Sequence, residues 1–186
     1  MNTLGNAKVN SRGFTLIEVI FSTVILSIGL LALLALFGRA VAVTQFAQED
    51  QIAKQKAREA LEGVYSARND ASLTFDSIQN ISNGGVFKDG FQPLYLPGAN
   101  GIVGTGQDTS TLDRTILPGP DGVLNTGDDK VIPLKNLARQ ILIEPVSNPD
   151  GSINPDLRKV TVTVRVTSPG RGARDYTVRG FISRYR

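Results

Sequence analysis

The feature that most limits what this chain can fold into is an uninterrupted apolar run near its start. From Val19 to Gly38 no residue carries a charge, and most positions are Val, Ile, Leu, Ala or Phe. A helix over this run, at about 1.5 Å per residue, covers the roughly 30 Å hydrocarbon core of a bilayer. Lys8 and Arg12 precede the run, so the excess of cations on the cytoplasmic side keeps the first dozen residues inside and exports everything after Arg39. An ordinary secretory signal has a shorter apolar core followed by a small-residue cleavage site. No such site is evident, and Arg39 interrupts the run before Ala40 and Ala42.

Composition then removes whole classes of chemistry. The 186 residues include no cysteine and no histidine. A disulfide framework, a Cys-ligated zinc site and a Ser-His-Asp triad are therefore all excluded, and the commonest general base is missing. The chain is expected to be structural rather than enzymatic. The formal charge of +3 is unevenly placed. Arg158, Lys159, Arg165, Arg171, Arg174, Arg179, Arg184 and Arg186 face the single acid Asp175 in the last stretch, so the preceding residues are net acidic.

One carboxylate, Glu18, stands at the edge of the apolar run. Buried in hydrocarbon it is costly, which leaves two readings: it reaches to the interface, or it serves a partner. The surrounding residues, Arg12-Gly13-Phe14-Thr15-Leu16-Ile17-Glu18-Val19, resemble the prepilin signal of type IV pilins and type II secretion pseudopilins. Basic leader, glycine, phenylalanine, glutamate and apolar run all appear in register. The resemblance implies that a prepilin peptidase cuts between Gly13 and Phe14 on the cytoplasmic side and methylates the new amino terminus of Phe14. It implies that Glu18 is the assembly glutamate. A cationic amine in a low-dielectric filament core needs a counter-charge, and Glu18 of a neighbouring subunit is the only candidate in the apolar segment.

Beyond the run the helix continues. From Arg39 to about Asn69 there is no proline, and helix formers dominate Gln48 to Glu62. Ile52, Ala53, Ala57, Ala60, Leu61 and Val64 give one narrow apolar stripe. Asp50 and Lys54, an i,i+4 pair, are assigned with Glu49 to the solvated face. From 71 to 137 glycine and proline punctuate a polar stretch, read as a surface loop in which Gly85–Phe87 and Gln92–Leu96 form brief edge strands. The last third is clearer: Gln140–Glu144, Val160–Thr167 and Tyr176–Ser183 read as strands, joined by turns at Asn148–Gly151 and Ser168–Gly172. The fold class is therefore α+β, a long N-terminal helix packed on a small antiparallel sheet, as the pilin resemblance also implies. The expected organisation is a leader over 1–13, a transmembrane and assembly helix over 14–38, its amphipathic half over 39–70, and a head over 71–186 with a variable loop (71–137) and a sheet (138–186).

Two head features bear on ligands. Asp121, Asn125, Asp128 and Asp129 lie on a Gly-rich loop and offer calcium the oxygen donors it prefers, although the same residues are common in plain turns. In the second cluster, Asp150, Ser152, Asn154 and Asp156, Pro155 stands where a compact calcium loop needs glycine, so a hairpin loop is the better reading. The basic residues of the last third are spread out and form a charge pattern without a nucleic-acid-binding motif, which argues against nucleic acid as a partner.

Within the family the membrane segment Val24–Ala32, the absence of a kinking proline and the terminal strand pair resemble minor pilins of the PilV type. That resemblance implies an inner-membrane protein, N-terminus cytoplasmic, later drawn into an extracellular filament. Its expected partners are prepilin peptidase, the major pilin and other minor pilins, and the inner-membrane assembly platform. The alternatives are a minor pseudopilin of a type II secretion system and a DNA- or surface-binding subunit carried on a pilus.

Overall fold

A computed structural model describes residues 13–185; the leader cations Lys8 and Arg12 lie outside the described residues. One helix, α1 (Leu16–Asn69), opens the fold. It is followed by two short 3₁₀ turns, Phe75–Ser77 and Ile81–Asn83, and by six strands: β1 (Gln92–Pro93), β2 (Arg114–Leu117), β3 (Lys130–Pro133), β4 (Leu137–Ser147), β5 (Ile153–Ser168) and β6 (Gly172–Ser183). The α+β class and the long helix packed on an antiparallel sheet are as the sequence predicts, a pilin-like fold. The chain divides into two compact units between Gln45 and Phe46.

In the first unit every residue from Gly13 to Val41 is exposed, so no described residue covers that part of α1. In the second unit the helix buries Ala53, Ala57, Ala60, Val64 and Ala67. Small side chains on this face let the helix axis approach the sheet closely. The sheet runs β1-β4-β5-β6, antiparallel throughout. Its inward rows are fixed by the alternation of β5: Val160, Val162, Val164 and Val166 are fully buried, each worth about 1.5–3 kcal/mol relative to exposure. The register sets Ile141 beside Val162 and Val162 beside Val178. The β4 ladder shifts between Pro145 and Val146, where proline has no N–H to donate. At β6 the ring of Tyr65 lies so close that a Cβ on Gly180 would sit 1.8 Å from its hydroxyl, which is why a glycine interrupts an otherwise good strand.

The stretch from 71 to 137 differs from its expectation as a surface loop. Phe75, Ile78, Phe87, Leu94, Ile102 and Leu134 from this stretch are buried in the same core as the helix stripe and the valines. Periodicity could not find them, because each enters the core singly from irregular backbone. Asn80 holds the segment to β4: its Nδ2 donates to the Ile141 carbonyl and its Oδ1 accepts from the Ile143 N–H, both at 2.8 Å. A buried side-chain amide thereby satisfies strand groups that would otherwise be stranded. Gly85 crosses the Gln79 carbonyl so closely that a Cβ would stand 2.1 Å from its oxygen. β1 is a short edge strand as read, which suits its proline. It makes the sheet wider than 138–186, and the β2–β3 hairpin was not anticipated at all.

Candidate processing and assembly site

Gly13, Phe14 and Thr15 form non-helical backbone directly before α1. Nothing lies within 4 Å of where a Cβ on Gly13 would stand, and the Phe14 side chain is 81% exposed. Among the described residues, therefore, nothing crowds Gly13 or covers the Phe14 side chain, and both precede the helix.

Helix α1 starts where it does because Thr15 caps it. The Glu18 N–H donates to Thr15 Oγ1 at 3.3 Å and to the Thr15 carbonyl at 3.1 Å, and the Val19 N–H donates to the same carbonyl at 3.3 Å. Thr15 and Glu18 have the Ser/Thr-x-x-Glu spacing of a capping box, a signal that was readable in the sequence and was missed. Only the threonine half is formed. The Glu18 carboxylate has no hydrogen-bond or salt-bridge partner among the described residues and lies in the first turn, where negative charge complements the helix dipole. It is therefore available to a group outside the chain.

The rest of the apolar segment fits hydrocarbon. α1 is long and apolar enough to cross a membrane, and none of the crossing window is buried, unlike a core helix of the same composition. Its hydroxyls are internally satisfied: Ser22 Oγ donates to the Glu18 carbonyl at 2.7 Å, Thr23 Oγ1 to Ile20 at 2.8 Å and Ser27 Oγ to Thr23 at 2.7 Å. No hydroxyl of these three is left to be desolvated unpaired.

The acidic head loop is organised by its own backbone. Asp121 accepts from the Val123 N–H at 2.9 Å, and Asp129 accepts from the Asn125 and Thr126 N–H groups at 2.5 and 3.2 Å. Thr126 Oγ1 donates to Asp128 at 2.6 Å, which holds that carboxyl below the usual range. Asn125 supplies a left-handed residue (φ 68°) at the tip. Among the described residues no three acidic side chains gather in an arrangement that could hold a metal ion. In the second cluster Ser152 donates to Asp150 through both N–H and Oγ, at 2.9 and 2.6 Å, a hairpin turn with Gly151 at φ 84°.

One correction concerns the charges of α1. Asp50 and Glu49 do not lie on the wet face of α1. Arg174 Nη2 approaches Asp50 Oδ1 at 2.8 Å and Glu49 Oε2 at 3.6 Å. Glu49 also accepts from Asn136 Nδ2 at 2.9 Å and from Ser168 Oγ. Lys54 rests 5.4 Å over the Tyr176 ring instead of pairing with Asp50. Arg174 is a strand residue opposite Val166. Lys56 is also tied to the head: its Nζ is 2.7 Å from Asp113 and 3.1 Å from Glu59. Burial pulls its pKa down, but the hydrogen bonds to Asp113 and Glu59 outweigh that and leave it raised. The basic last third is largely consumed in the same way. Arg165 pairs with Asp175 through two bonds of 2.8 Å and covers the Phe91 ring at 4.0 Å. Arg184 pairs with Asp76 and Asp156 at 2.8 and 2.9 Å.

Residues 8–34 match the family model of the prokaryotic N-terminal methylation motif. The chain carries a type IV prepilin-like signal, and the matched residues include Gly13, Phe14 and Glu18. No curated protein and no solved structure matches the chain.

Proposed function

We propose that this type IV pilin-like, membrane-anchored chain is a minor pilin, a structural subunit that enters or primes a type IV pilus after processing by prepilin peptidase. Cleavage falls between Gly13 and Phe14, Phe14 becomes N-methylated, and Glu18 of one subunit neutralises the Phe14 amine of another. The observation that carries the reading is an exposed Gly13–Phe14 junction followed, within one helical turn, by Glu18, which has no partner among the described residues, at the head of a helix exposed throughout its apolar stretch. The matched methylation motif supports it. Lys8 and Arg12 support an inner-membrane orientation with the N-terminus in the cytoplasm, and the segment Val24–Ala32 supports the PilV type among minor pilins. The major pilin, other minor pilins and the assembly platform are the partners this reading requires.

Two measurements test it. Mass spectrometry of the protein from cells holding prepilin peptidase should find a chain that begins at Phe14 and carries one added methyl group. An intact leader there overturns the reading. Glu18→Ala should leave the chain processed and membrane-inserted but strongly depleted from sheared filaments. Normal incorporation of that variant removes the role of Glu18. Co-purification with a secretion secretin in place of a major pilin would move the protein to the pseudopilin class.

A further inference from the structure

The β2–β3 hairpin stands apart from the main sheet. Its two strands form a separate two-stranded sheet, joined at its base where the Leu134 N–H donates to the Asp113 carbonyl at 2.8 Å. A two-stranded ribbon is marginal in water unless something packs on it. This one turns a cross-strand pair, Ile116 and Val131, to solvent. At its tip Val123 and Leu124 are 55% and 52% exposed, between the exposed carboxylates of Asp121 and Asp128. An apolar tip with an acidic rim on a projecting ribbon has the chemistry of a contact surface.

The complement lies on the same chain. The outward side of the β4–β5–β6 sheet carries no helix. Register sets Leu142, Thr161 and Arg179 in one row, with Phe181 beside Lys159 in an adjacent row. Phe181 is 56% exposed. Lys159 and Arg165 on this side are paired with Glu144 and Asp175, whereas Arg179 has no hydrogen-bond or ion-pair partner among the described residues. The sheet thus presents an apolar patch with one uncommitted cation, against a tip that presents two aliphatic side chains with two carboxylates.

We propose that the tip of the β2–β3 ribbon in one copy of this chain seats on the outer sheet face of a second copy. Val123 and Leu124 meet Phe181 and Leu142, and Asp121 and Asp128 face Arg179. The two surfaces are different, so the contact is heterologous and hands its free surface on to a further copy instead of closing a pair. Opposite charges fix the direction of docking more than they add affinity. The contact is independent of the pilus reading, since it needs neither processing nor Glu18.

The absence of native cysteine makes the test direct. Full-length Leu124→Cys and Phe181→Cys chains, purified in detergent and mixed, are oxidised mildly and followed by mass. The mixture should form crosslinked dimers on the order of tenfold or more faster than Leu124→Cys mixed with Gln55→Cys, a control on the exposed helix face, because docking raises the local thiol concentration. Adding Arg179→Glu to the Phe181→Cys chain should slow the reaction about fivefold, as expected for reversing a rim charge. Equal rates with the Gln55 control overturn the proposal. So does faster pairing of Phe181→Cys with itself than with Leu124→Cys, which would put sheet against sheet. Circular dichroism of each variant confirms that these exposed substitutions leave the fold intact.

Discussion

The two ends of α1 invert the usual relation between hydrophobicity and burial. The first unit holds its most apolar residues, yet Ile17, Ile25, Leu31 and Phe37 are each more than 60% exposed. The second unit holds the polar part of the same helix, and it is there that Ala53, Ala57, Ala60 and Val64 are wholly or almost wholly buried. Propensity does not separate the two, because both are good helix sequence. What separates them is the presence of a partner inside the chain. The polar half has one, the valine face of β5. The apolar half has none among the described residues, which leaves roughly 25 cal/mol per Å2 of exposed apolar surface to be gained by cover from outside them, as lipid or another apolar helix would give.

Core truncations break this comparison most sharply. Ile141 is buried against the helix side of the sheet, so Ile141→Ala should cost the head about 2–5 kcal/mol, read as a lowered denaturant midpoint in detergent. Leu31→Ala removes a similar volume and should leave the same transition where it is, since no described residue packs on it. A fall in head stability with Leu31→Ala would mean that the first unit has a partner within the chain after all.

The next largest effect belongs to the charges that tie α1 to the sheet. Arg174→Ala strips Asp50 and Glu49 of the one cation they share. Leaving partly buried carboxylates without that charge should cost about 1–3 kcal/mol in thermal unfolding, whereas Arg171→Ala, which loses only a stack 4.9 Å over Phe46, should cost less than about 1 kcal/mol. Gly180→Ala should fall between them, because the new methyl must displace the Tyr65 ring.

These residues also mark how far sequence reasoning reaches. Regular patterns were legible: the apolar run, the stripe from Ile52 to Val64 and the alternation from Val160 to Thr167 each reappear as the elements they predict. The prepilin-like signal was legible because it is a short contiguous motif, and the matched family model covers the positions of Gly13, Phe14 and Glu18. The core residues Phe75, Phe87 and Leu94 were not, since a single apolar residue in an irregular segment carries no period. The Arg174–Asp50 pair was hidden for a related reason. An i,i+4 rule ranks Lys54 as the partner of Asp50, and only the register of β6 brings Arg174 from more than a hundred positions away.

Smaller effects come from pH. The Arg165 hydrogen bonds hold the Asp175 carboxyl below its ordinary value, and Arg184 does the same for Asp76. A carboxyl depressed in the folded state gives stability that is complete above its unfolded pKa of about 3.9. That stability is lost as pH falls through the folded value. Head stability should therefore be level near neutral pH and drop below about pH 4. Asp175→Asn should flatten part of that drop, by less than about 1 kcal/mol because the pair is exposed and screened.

The smallest effect is expected at the loop that most resembles a cation site. Asp121, Asp128 and Asp129 each already accept hydrogen bonds from the loop's own N–H or hydroxyl groups, and calcium would have to take those oxygens from partners that fold the loop. It requires six to eight oxygens, so binding must gain more than several such bonds contribute, at about 1 kcal/mol each. Addition of calcium, or of EDTA, should accordingly leave the thermal midpoint of the head unchanged, and titration calorimetry should show no saturable heat. A calcium-dependent rise in that midpoint, abolished by Asp129→Asn, would reverse the conclusion. It would mean that the loop opens to bring Asp121, Asn125, Asp128 and Asp129 around one ion. The second unit would then, like the first, owe part of its order to something the chain does not itself provide.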